Sequence, residues 1–236
     1  MPVPQPGIRG PDRFLSLLKP LLVGLVAVVL LLVFAKLGSE VLEGDTHGFD
    51  QRLLDAALAL RRAHPWLAEV MRDLSGLGST VVLSVITLGT VGYLAAFSSR
   101  TTAVLVGASV AGGALLVTLF KAAFGRGRPD AAFAELVVAG QSFPSGHASV
   151  SAIVFLTLGA LVASTRKRRG ERAYLLAGAA LLTLLVGLSR VALGVHWATD
   201  VLAGWAFGAA WAIVWLLLER WWVGSRRVRL RDESPP

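Results

Sequence analysis

The sequence predicts an all-α, polytopic membrane protein with six transmembrane helices, and three observations support this. The chain of 236 residues is 55% hydrophobic and 16% charged, with a mean hydropathy of +0.66. Soluble domains carry roughly 25% charged residues, so this chain is poor in solubilising side chains. Six segments approach the ~20 apolar residues that cross a bilayer, and basic residues concentrate on alternate links. Cysteine is absent, which excludes disulfides, thiolate zinc sites and cysteine nucleophiles.

The predicted spans cover residues 17–37, 79–97, 102–120, 148–164, 173–188 and 199–218. Basic residues precede and open the first span, as in a signal peptide, but no small-x-small cleavage site follows it. We therefore expect an uncleaved anchor. The predicted organisation is an N-terminal tail at 1–16, one membrane domain at 17–219 and a basic C-terminal tail at 220–236.

The basic residues lie mainly on one side of the predicted membrane domain. Of the 23 lysines and arginines, 14 fall in the two tails, at the start of the first span, and in the links 98–101 and 165–172. Cytoplasmic loops carry an excess of Lys and Arg, so both termini are predicted to be cytoplasmic. Topology thus accounts for the net charge of +8. The bilayer is the expected partner, and nucleic acid is not.

Residues 38–78 form the longest outer link, in which seven acidic residues offset the basic ones. The apolar residues within 53–58 share one helical face, and a similar pattern resumes further along the link. This pattern predicts two short amphipathic helices at the outer membrane surface. Trp66 is expected at headgroup level, and His47 and His64 are expected to be ordinary surface residues.

Polar and ionisable residues gather at the ends of the predicted spans, where ionisable side chains are costly and indicate function. The end of an odd-numbered span and the start of an even-numbered one lie on the same side of the membrane. These side chains are therefore predicted to meet at the outer face. They are Lys121 and Arg128 after the third span, Ser145, Gly146 and His147 before the fourth, Arg190 after the fifth, and His196 and Asp200 beside the sixth.

The residue types in this cluster fit a phosphate-like anion. Three cations without an equal number of acids would balance a tetrahedral dianion, and arginine forks onto two oxygens. The Ser145-Gly146 turn ahead of a helix offers a hydroxyl and free backbone N–H groups at the positive helix end. His196 and Asp200 are four residues apart, so the carboxylate can hold one imidazole nitrogen and present the other. His147 is suited to donating a proton to a leaving oxygen.

Three short motifs run through this cluster: KAAFGRGRP from Lys121, PSGH from Pro144 and SRVALGVHWATD from Ser189. Their order and fixed positions match K-x6-R-P, P-S-G-H and S-R-x5-H-x3-D of the type 2 phosphatidic acid phosphatase (PAP2) family, which the chain therefore resembles. The resemblance covers about residues 79–216. It implies a helical membrane bundle of the PAP2 and haloperoxidase type.

The resemblance implies a role for each residue of the cluster. His196 would be the nucleophile that forms a phosphohistidine, and Asp200 would orient and polarise it. His147 would protonate the leaving group and then help water to attack. The other members would bind phosphate oxygens: these are Lys121, Arg128, Ser145, Gly146 and Arg190. The family needs no metal, and no other cofactor is expected.

The implied activity is metal-independent hydrolysis of a lipid phosphate or diphosphate at the outer face of a bacterial inner membrane. Candidate substrates are phosphatidic acid, phosphatidylglycerol phosphate, undecaprenyl diphosphate and a lipid A phosphate. The sequence does not choose among them, and it leaves the oligomeric state open. Because His196 must be neutral while His147 is protonated, the rate is expected to follow a bell-shaped pH profile.

Three other functions fit part of the same pattern. Phosphotransfer from a lipid to another acceptor would use the same residues. A non-hydrolytic binder or transporter of lipid phosphates would use the basic pocket but leave the histidines without a purpose. An intramembrane serine protease would use Ser145, although such serines sit in Gly-x-Ser-Gly and here Phe143 and Pro144 precede it.

Two further expectations concern residues outside the motif positions. Arg126 is expected to extend towards the lipid headgroups, as arginines near span ends often do. Small residues spaced four apart are expected to permit close helix packing. They are Gly204 with Gly208, and Ala108 with Gly112.

Overall fold

The computed structural model describes residues 12–136 and 138–232, with the side-chain surroundings of 18–136 and 138–222. This part of the chain forms eight α-helices and a 3₁₀ turn at Ala131–Phe133, without a strand. The helices are α1 Asp12–Glu43, α2 His47–Ala63, α3 Trp66–Gly76, α4 Thr80–Phe97, α5 Arg100–Phe124, α6 Gly146–Ser164, α7 Arg169–Ala192 and α8 Ala198–Asp232. The all-α class is confirmed. Residues 1–11 and 233–236 of the predicted tails lie outside the described residues.

Six helical segments in the described residues are long and apolar enough to cross a membrane, as predicted. Several run further than the predicted spans at the end nearest the polar cluster. Lys121, His147 and Arg190 therefore lie in the terminal turns of helices. The difference arises because hydropathy falls at the first charge, whereas a helix continues to its cap. For α5 that cap is Gly125, whose φ is +60° and whose N–H donates to Lys121 O at 3.1 Å.

The two short helices predicted in the 38–78 link are confirmed as α2 and α3, whereas their place at the outer membrane surface stays a prediction. The buried face of α2 is nevertheless rotated from the apolar face expected at 53–58. Leu54 is buried, but the other buried residues of α2 are Asp50 and Arg61, and Leu53 is 40% exposed. Buried charges are retained only where partners satisfy them, so this face indicates specific contacts with the rest of the bundle.

The helix α6 lies between α7 and α8, and small residues allow the close approach of α8. A Cβ on Gly208 would lie 2.5 Å from the Ser149 carbonyl oxygen. A Cβ on Gly204 would lie 3.0 Å from Ala148 Cβ and from the Ser145 carbonyl oxygen. The expectation of close packing at Gly204 and Gly208 is confirmed.

The second small-residue pair behaves as expected at Gly112 only, where a Cβ would lie 3.3 Å from the Trp211 ring of α8. In α5 the buried face contains Ser109, Gly113 and Val117, and Ala108 is exposed. A Cβ on Gly113 would lie 2.4 Å from the Ile153 side chain. The tightest contact therefore falls at Gly113, one residue after Gly112, because the spacing of small residues does not by itself fix the rotation of a helix.

An aromatic cluster beneath the polar cluster holds the turn that precedes α6. The Phe143 ring is fully buried and stacks on Phe34 with ring centroids 5.9 Å apart. Phe124 lies 4.7 Å from Phe143 by the same measure, and Phe207 lies 5.6 Å from Phe34. Aromatic pairs at these separations contribute beyond their buried area. The PSGH turn therefore starts from a fixed point in the core.

Candidate active site

The structure brings the predicted site residues together at one end of the bundle. Lys121 and Arg190 lie in the last turns of α5 and α7. His147 lies in the first turn of α6, and His196 and Asp200 flank the start of α8. Residues that are 79 positions apart in the chain thus meet because successive helices run in opposite directions.

His196 and Asp200 form a buried pair. Their exposed fractions are 2% and 0%, and His196 Nδ1 lies 3.3 Å from Asp200 Oδ2. The Trp197 N–H donates to the same oxygen at 2.9 Å. The carboxylate therefore accepts from the first residues at the N-terminus of α8, where free N–H groups favour a negative charge.

Arg128 fixes the tautomer of His196. Its Nη1 lies 3.1 Å from His196 Nε2 and donates to the Val195 carbonyl oxygen at 2.8 Å. A guanidinium has donors only, so Nε2 must accept and carries the lone pair. The ring proton then lies on Nδ1 and faces Asp200. Nε2, the ring nitrogen without a proton, thus faces the Arg128 guanidinium.

Burial lowers the pKa of His196 below its ordinary value, because desolvation penalises the charged imidazolium. The hydrogen bond and charge of Asp200 oppose this effect, whereas the positive charges of Arg128 and Lys121 add to it. The lowered pKa means that His196 is neutral at pH 7, in agreement with the tautomer that Arg128 imposes.

Two of the predicted cations hold the segment that leads into PSGH. Lys121 Nζ donates to the carbonyl oxygens of Gln141 at 2.8 Å and Ser142 at 3.2 Å. Arg128 Nε donates to the Gly140 carbonyl oxygen at 2.9 Å. Both positive charges are therefore fixed beside the start of α6.

The third cation, Arg190, is held by the short helix α3. Its side chain is 3% exposed, and its Nη1 donates to Ser75 Oγ on α3. Its Nε has no hydrogen-bond acceptor among the described residues. Sequence reasoning missed Ser75, which positions a predicted phosphate-binding residue while leaving one of its donors unpaired.

The PSGH turn joins the first turn of α6 to the buried pair. Ser145 Oγ accepts from the Ala148 N–H at 3.5 Å, and the Ser145 N–H donates to the Asp200 carbonyl oxygen at 3.0 Å. Ser145 thus acts as a helix cap. His147 and Lys121 both line a cavity of about 340 Å³ between α4, α5 and α6.

Ser142 is a second site residue that sequence reasoning missed. It is fully buried, its hydroxyl donates to Asp200 Oδ2, and its oxygen lies 3.3 Å from His196 Nδ1. These contacts place Ser142 on the Nδ1 side of the imidazole ring, opposite Nε2. Ser142 lies two residues before the PSGH motif, and nothing in the local sequence predicts its contact with Asp200.

The expectation for Arg126 is wrong. Its side chain is 13% exposed, with Nη1 2.7 Å from Asp200 Oδ1 and Nη2 2.6 Å from Asp50 Oδ2. Two buried carboxylates therefore hold the guanidinium inside the protein instead of at the headgroups. Helical spacing could have indicated this contact, because it places Asp50 on the same face of α2 as Leu54 and Arg61.

Comparisons with known sequences identify the family. A sequence model of the PAP2 superfamily matches residues 102–223, just over half of the chain. The chain is 34% identical over 187 residues to phosphatidylglycerophosphatase B of Bacillus subtilis (strain 168), covering 77% of this chain and 88% of the relative. It is 32% identical over 109 residues to lipid A 1-phosphatase of Rhizobium johnstonii, covering 42% of this chain and 41% of that relative.

Solved structures show the same architecture. A transmembrane PAP2 type phosphatidylglycerolphosphate phosphatase from Bacillus subtilis superposes with a TM-score of 0.72 at 27% identity, covering 82% of this chain and 96% of the other. Aquifex aeolicus LpxE shares the fold at a TM-score of 0.53 and 23% identity, covering 71% of this chain and 94% of the other. The chain therefore belongs to the PAP2 superfamily and is a multi-pass membrane phosphatase.

Proposed function

We propose that the protein is a metal-independent lipid phosphatase that forms a phosphohistidine at His196. One observation carries this proposal. His196 Nε2 holds a lone pair 3.1 Å from Arg128, while Asp200 lies behind Nδ1. The imidazole ring of the nucleophile thus has an orienting carboxylate on one side and a phosphate-binding cation on the other. Phosphoryl transfer through a covalent intermediate requires this arrangement.

In the first step Nε2 attacks phosphorus in line with the leaving oxygen. The N–P bond forms as the P–O bond breaks, and His147 transfers its proton to the departing oxygen. The ring of His196 becomes positively charged, and Asp200 stabilises this charge through the Nδ1 proton. The lipid alcohol, or a lipid phosphate from a diphosphate, leaves with that proton.

In the second step water hydrolyses the phosphohistidine. His147, now neutral, takes a proton from water as the oxygen attacks phosphorus. The N–P bond breaks and its electron pair returns to Nε2. Inorganic phosphate leaves. The proton taken from water returns His147 to its protonated starting state, and His196 is again neutral with its proton on Nδ1.

The phosphate oxygens would be bound by side chains and by the start of α6. Lys121, Arg128 and Arg190 supply positive charge, and the unpaired Nε of Arg190 is a donor available for an oxygen. The Ser145 hydroxyl and the N–H groups of Gly146 and His147 lie at the positive end of a helix. Because these groups neutralise the transferring phosphoryl group, we propose that no metal is required.

The cavity beside His147 supports a lipid as the substrate. It has a volume of about 340 Å³ and is lined mainly by apolar and small residues of three helices, among them Leu83, Val110 and Val150. Lys121 and His147 also line it. A substrate with its phosphate at these two side chains would place its apolar part along the cavity, between helices that face the bilayer.

The named relatives rank the candidate substrates. Phosphatidylglycerol phosphate comes first, because the relative with the larger coverage is a phosphatidylglycerophosphatase. A lipid A phosphate comes second, from a match over less than half of each chain. Phosphatidic acid and undecaprenyl diphosphate remain candidates that the same chemistry would accept.

We also propose that both termini are cytoplasmic and that the site faces the outside of a bacterial inner membrane, because the basic links lie on the opposite side. The chain lacks cysteine, so single cysteines report orientation directly. In intact cells an impermeant maleimide is expected to label Asp55→Cys on α2 and to spare Lys167→Cys. The reverse pattern would overturn the orientation.

The activity is tested by phosphate release from the candidate lipids by purified protein in detergent with EDTA. We expect release by the wild type and by His64→Ala, an exposed histidine in the α2–α3 link, and none by His196→Ala. Loss of wild-type activity in EDTA would refute metal independence. Consumption of the lipid without free phosphate would indicate transfer, and binding without turnover would indicate a binder or transporter.

A further inference from the structure

The carboxylate of Asp50 is buried in the bundle although it belongs to an outer helix. It is 1% exposed. It accepts from the Thr199 N–H at 2.9 Å, from Thr199 Oγ1 at 2.7 Å and from Arg126 Nη2 at 2.6 Å. Thr199 directly precedes Asp200 in the chain. Asp50 is therefore tied to the helix start that carries the orienting carboxylate.

Arg126 joins this carboxylate to that of Asp200. Its Nη1 donates to Asp200 Oδ1 and to Thr199 Oγ1, both at 2.7 Å. Its Nη2 donates to Thr46 Oγ1 at 3.0 Å as well as to Asp50. One guanidinium thus bridges two carboxylates that are both buried.

The bridge sets which oxygen of Asp200 meets His196. Arg126 occupies Oδ1, so Oδ2 remains for the imidazole Nδ1. Removal of the guanidinium would free the carboxylate to rotate. It would also leave two buried negative charges close together without the cation between them, which is unfavourable.

We propose that Arg126 and Asp50 are positioning residues of the reaction, which orient Asp200 and set the charge that His196 experiences. The outer helix α2 is then a working part of the catalytic centre. This inference rests on the proposed role of His196 as the nucleophile. Neither Arg126 nor Asp50 is at a fixed position of the three motifs.

The charges around His196 make the proposal measurable. Asp200, Arg128 and Lys121 act on it directly, and His147 and Arg190 lie in the same pocket. Beyond Asp200, the positive charge of Arg126 and the negative charge of Asp50 cancel one another. The charge of Asp50 favours the protonated imidazolium of His196, and the charge of Arg126 disfavours it. Residues that only support the fold would not produce two opposite effects on this protonation.

Two single substitutions are expected to move the acid limb of kcat/KM in opposite directions. Asp50→Asn removes a negative charge, disfavours the imidazolium and moves the limb to lower pH. Arg126→Gln removes a positive charge and moves it to higher pH. A unit charge at this range predicts shifts of about 0.5–1.5 pH units. The double variant restores the net charge, so its limb returns towards the wild-type position.

The steady-state constants separate positioning from phosphate binding. Asp50 and Arg126 contact Asp200 and Thr199 instead of the substrate, so kcat is expected to fall about tenfold or more while KM stays within about twofold. An increase in KM with kcat unchanged would overturn the proposal, since it would mean that Arg126 binds phosphate.

The experiment measures pH profiles of wild type, both single variants and the double variant, with thermal unfolding as a check of the fold. Asp55→Asn and Arg52→Gln are the matched controls, because both are exposed on α2 outside the bridge, and their limbs are expected to stay in place. If Arg126→Gln does not fold, the nearly isosteric Asp50→Asn variant tests the proposal alone, through the expected shift of its acid limb to lower pH. Unmoved limbs, or shifts in one direction, would overturn the inference; activity of His196→Ala would instead overturn the proposed function.

Discussion

Asp200→Asn replaces one carboxylate oxygen by an NH2 group at a completely buried position. All four groups that contact this carboxylate can donate to it. They are Arg126 Nη1 at 2.7 Å, the Trp197 N–H at 2.9 Å, His196 Nδ1 at 3.3 Å and the Ser142 hydroxyl. An amide offers donors on one side, so it cannot satisfy this set.

The asparagine has two orientations, and each disrupts the site. With its NH2 group towards Arg126, two donors face one another, and an unpaired buried donor costs about 1–3 kcal/mol. With its NH2 group towards His196, Nδ1 must accept and the ring proton moves to Nε2, where it faces Arg128 and removes the nucleophilic lone pair. A wrong tautomer in a comparable His–Asp pair lowers kcat by about 10⁴-fold, so we expect a loss of about 10³–10⁴-fold here.

The assay is phosphate release at saturating lipid in detergent, together with thermal unfolding of each variant. Asp130→Asn is the matched control, because Asp130 is exposed in the link between α5 and α6 and its carboxylate accepts only from the nearby Ala132 N–H among the contacts described. Its kcat is expected to match the wild type. A folded Asp200→Asn variant that retains kcat within tenfold of the wild type would refute the argument.

Three further predictions concern Ser75, Gly208 and His196. Ser75→Ala removes the acceptor of Arg190 Nη1 and is expected to raise KM about tenfold, the effect of one lost hydrogen bond to a charged group; an unchanged KM in a lipid titration would contradict it. Gly208→Val places a Cβ 2.5 Å from a backbone oxygen of α6 and is expected to cost about 1–3 kcal/mol, whereas Gly89→Val has open space; equal unfolding temperatures for the two would contradict the packing. Burial lowers the pKa of His196, and protonation removes its lone pair as pH falls, so the acid limb is expected below pH ~6.5; a limb above that value would contradict the assignment.

Most of the helical architecture could be predicted from hydropathy, because a membrane span must be apolar over a fixed length. The helix ends could not, since they depend on caps. Gly125, with its positive φ, ends α5 one turn beyond the last apolar residue of the predicted span. Lys121 is therefore part of a rigid helix, whereas hydropathy alone placed it in a link.

The convergence of the site could be predicted because alternating topology fixes which helix ends share a side. The contacts that orient its members could not. Asp50 lies 76 positions from Arg126 and 149 from Thr199, and nothing local in the sequence pairs them. The helical phase of α2 was informative only once Leu54 was known to face inwards.

The most direct test of the phosphohistidine is to trap it. We would use His147→Ala with a ³²P-labelled aryl phosphate, whose leaving group needs no proton, so that the first step proceeds and hydrolysis is slowed. After an alkaline quench, the label is expected on the peptide that contains His196, stable in base and lost in acid as a phosphoramidate is. A parallel sample is quenched in acid, which preserves a phosphoserine. Acid-stable label on Ser145 or Ser142, or labelling that persists in a His196→Ala background, would contradict the proposed mechanism.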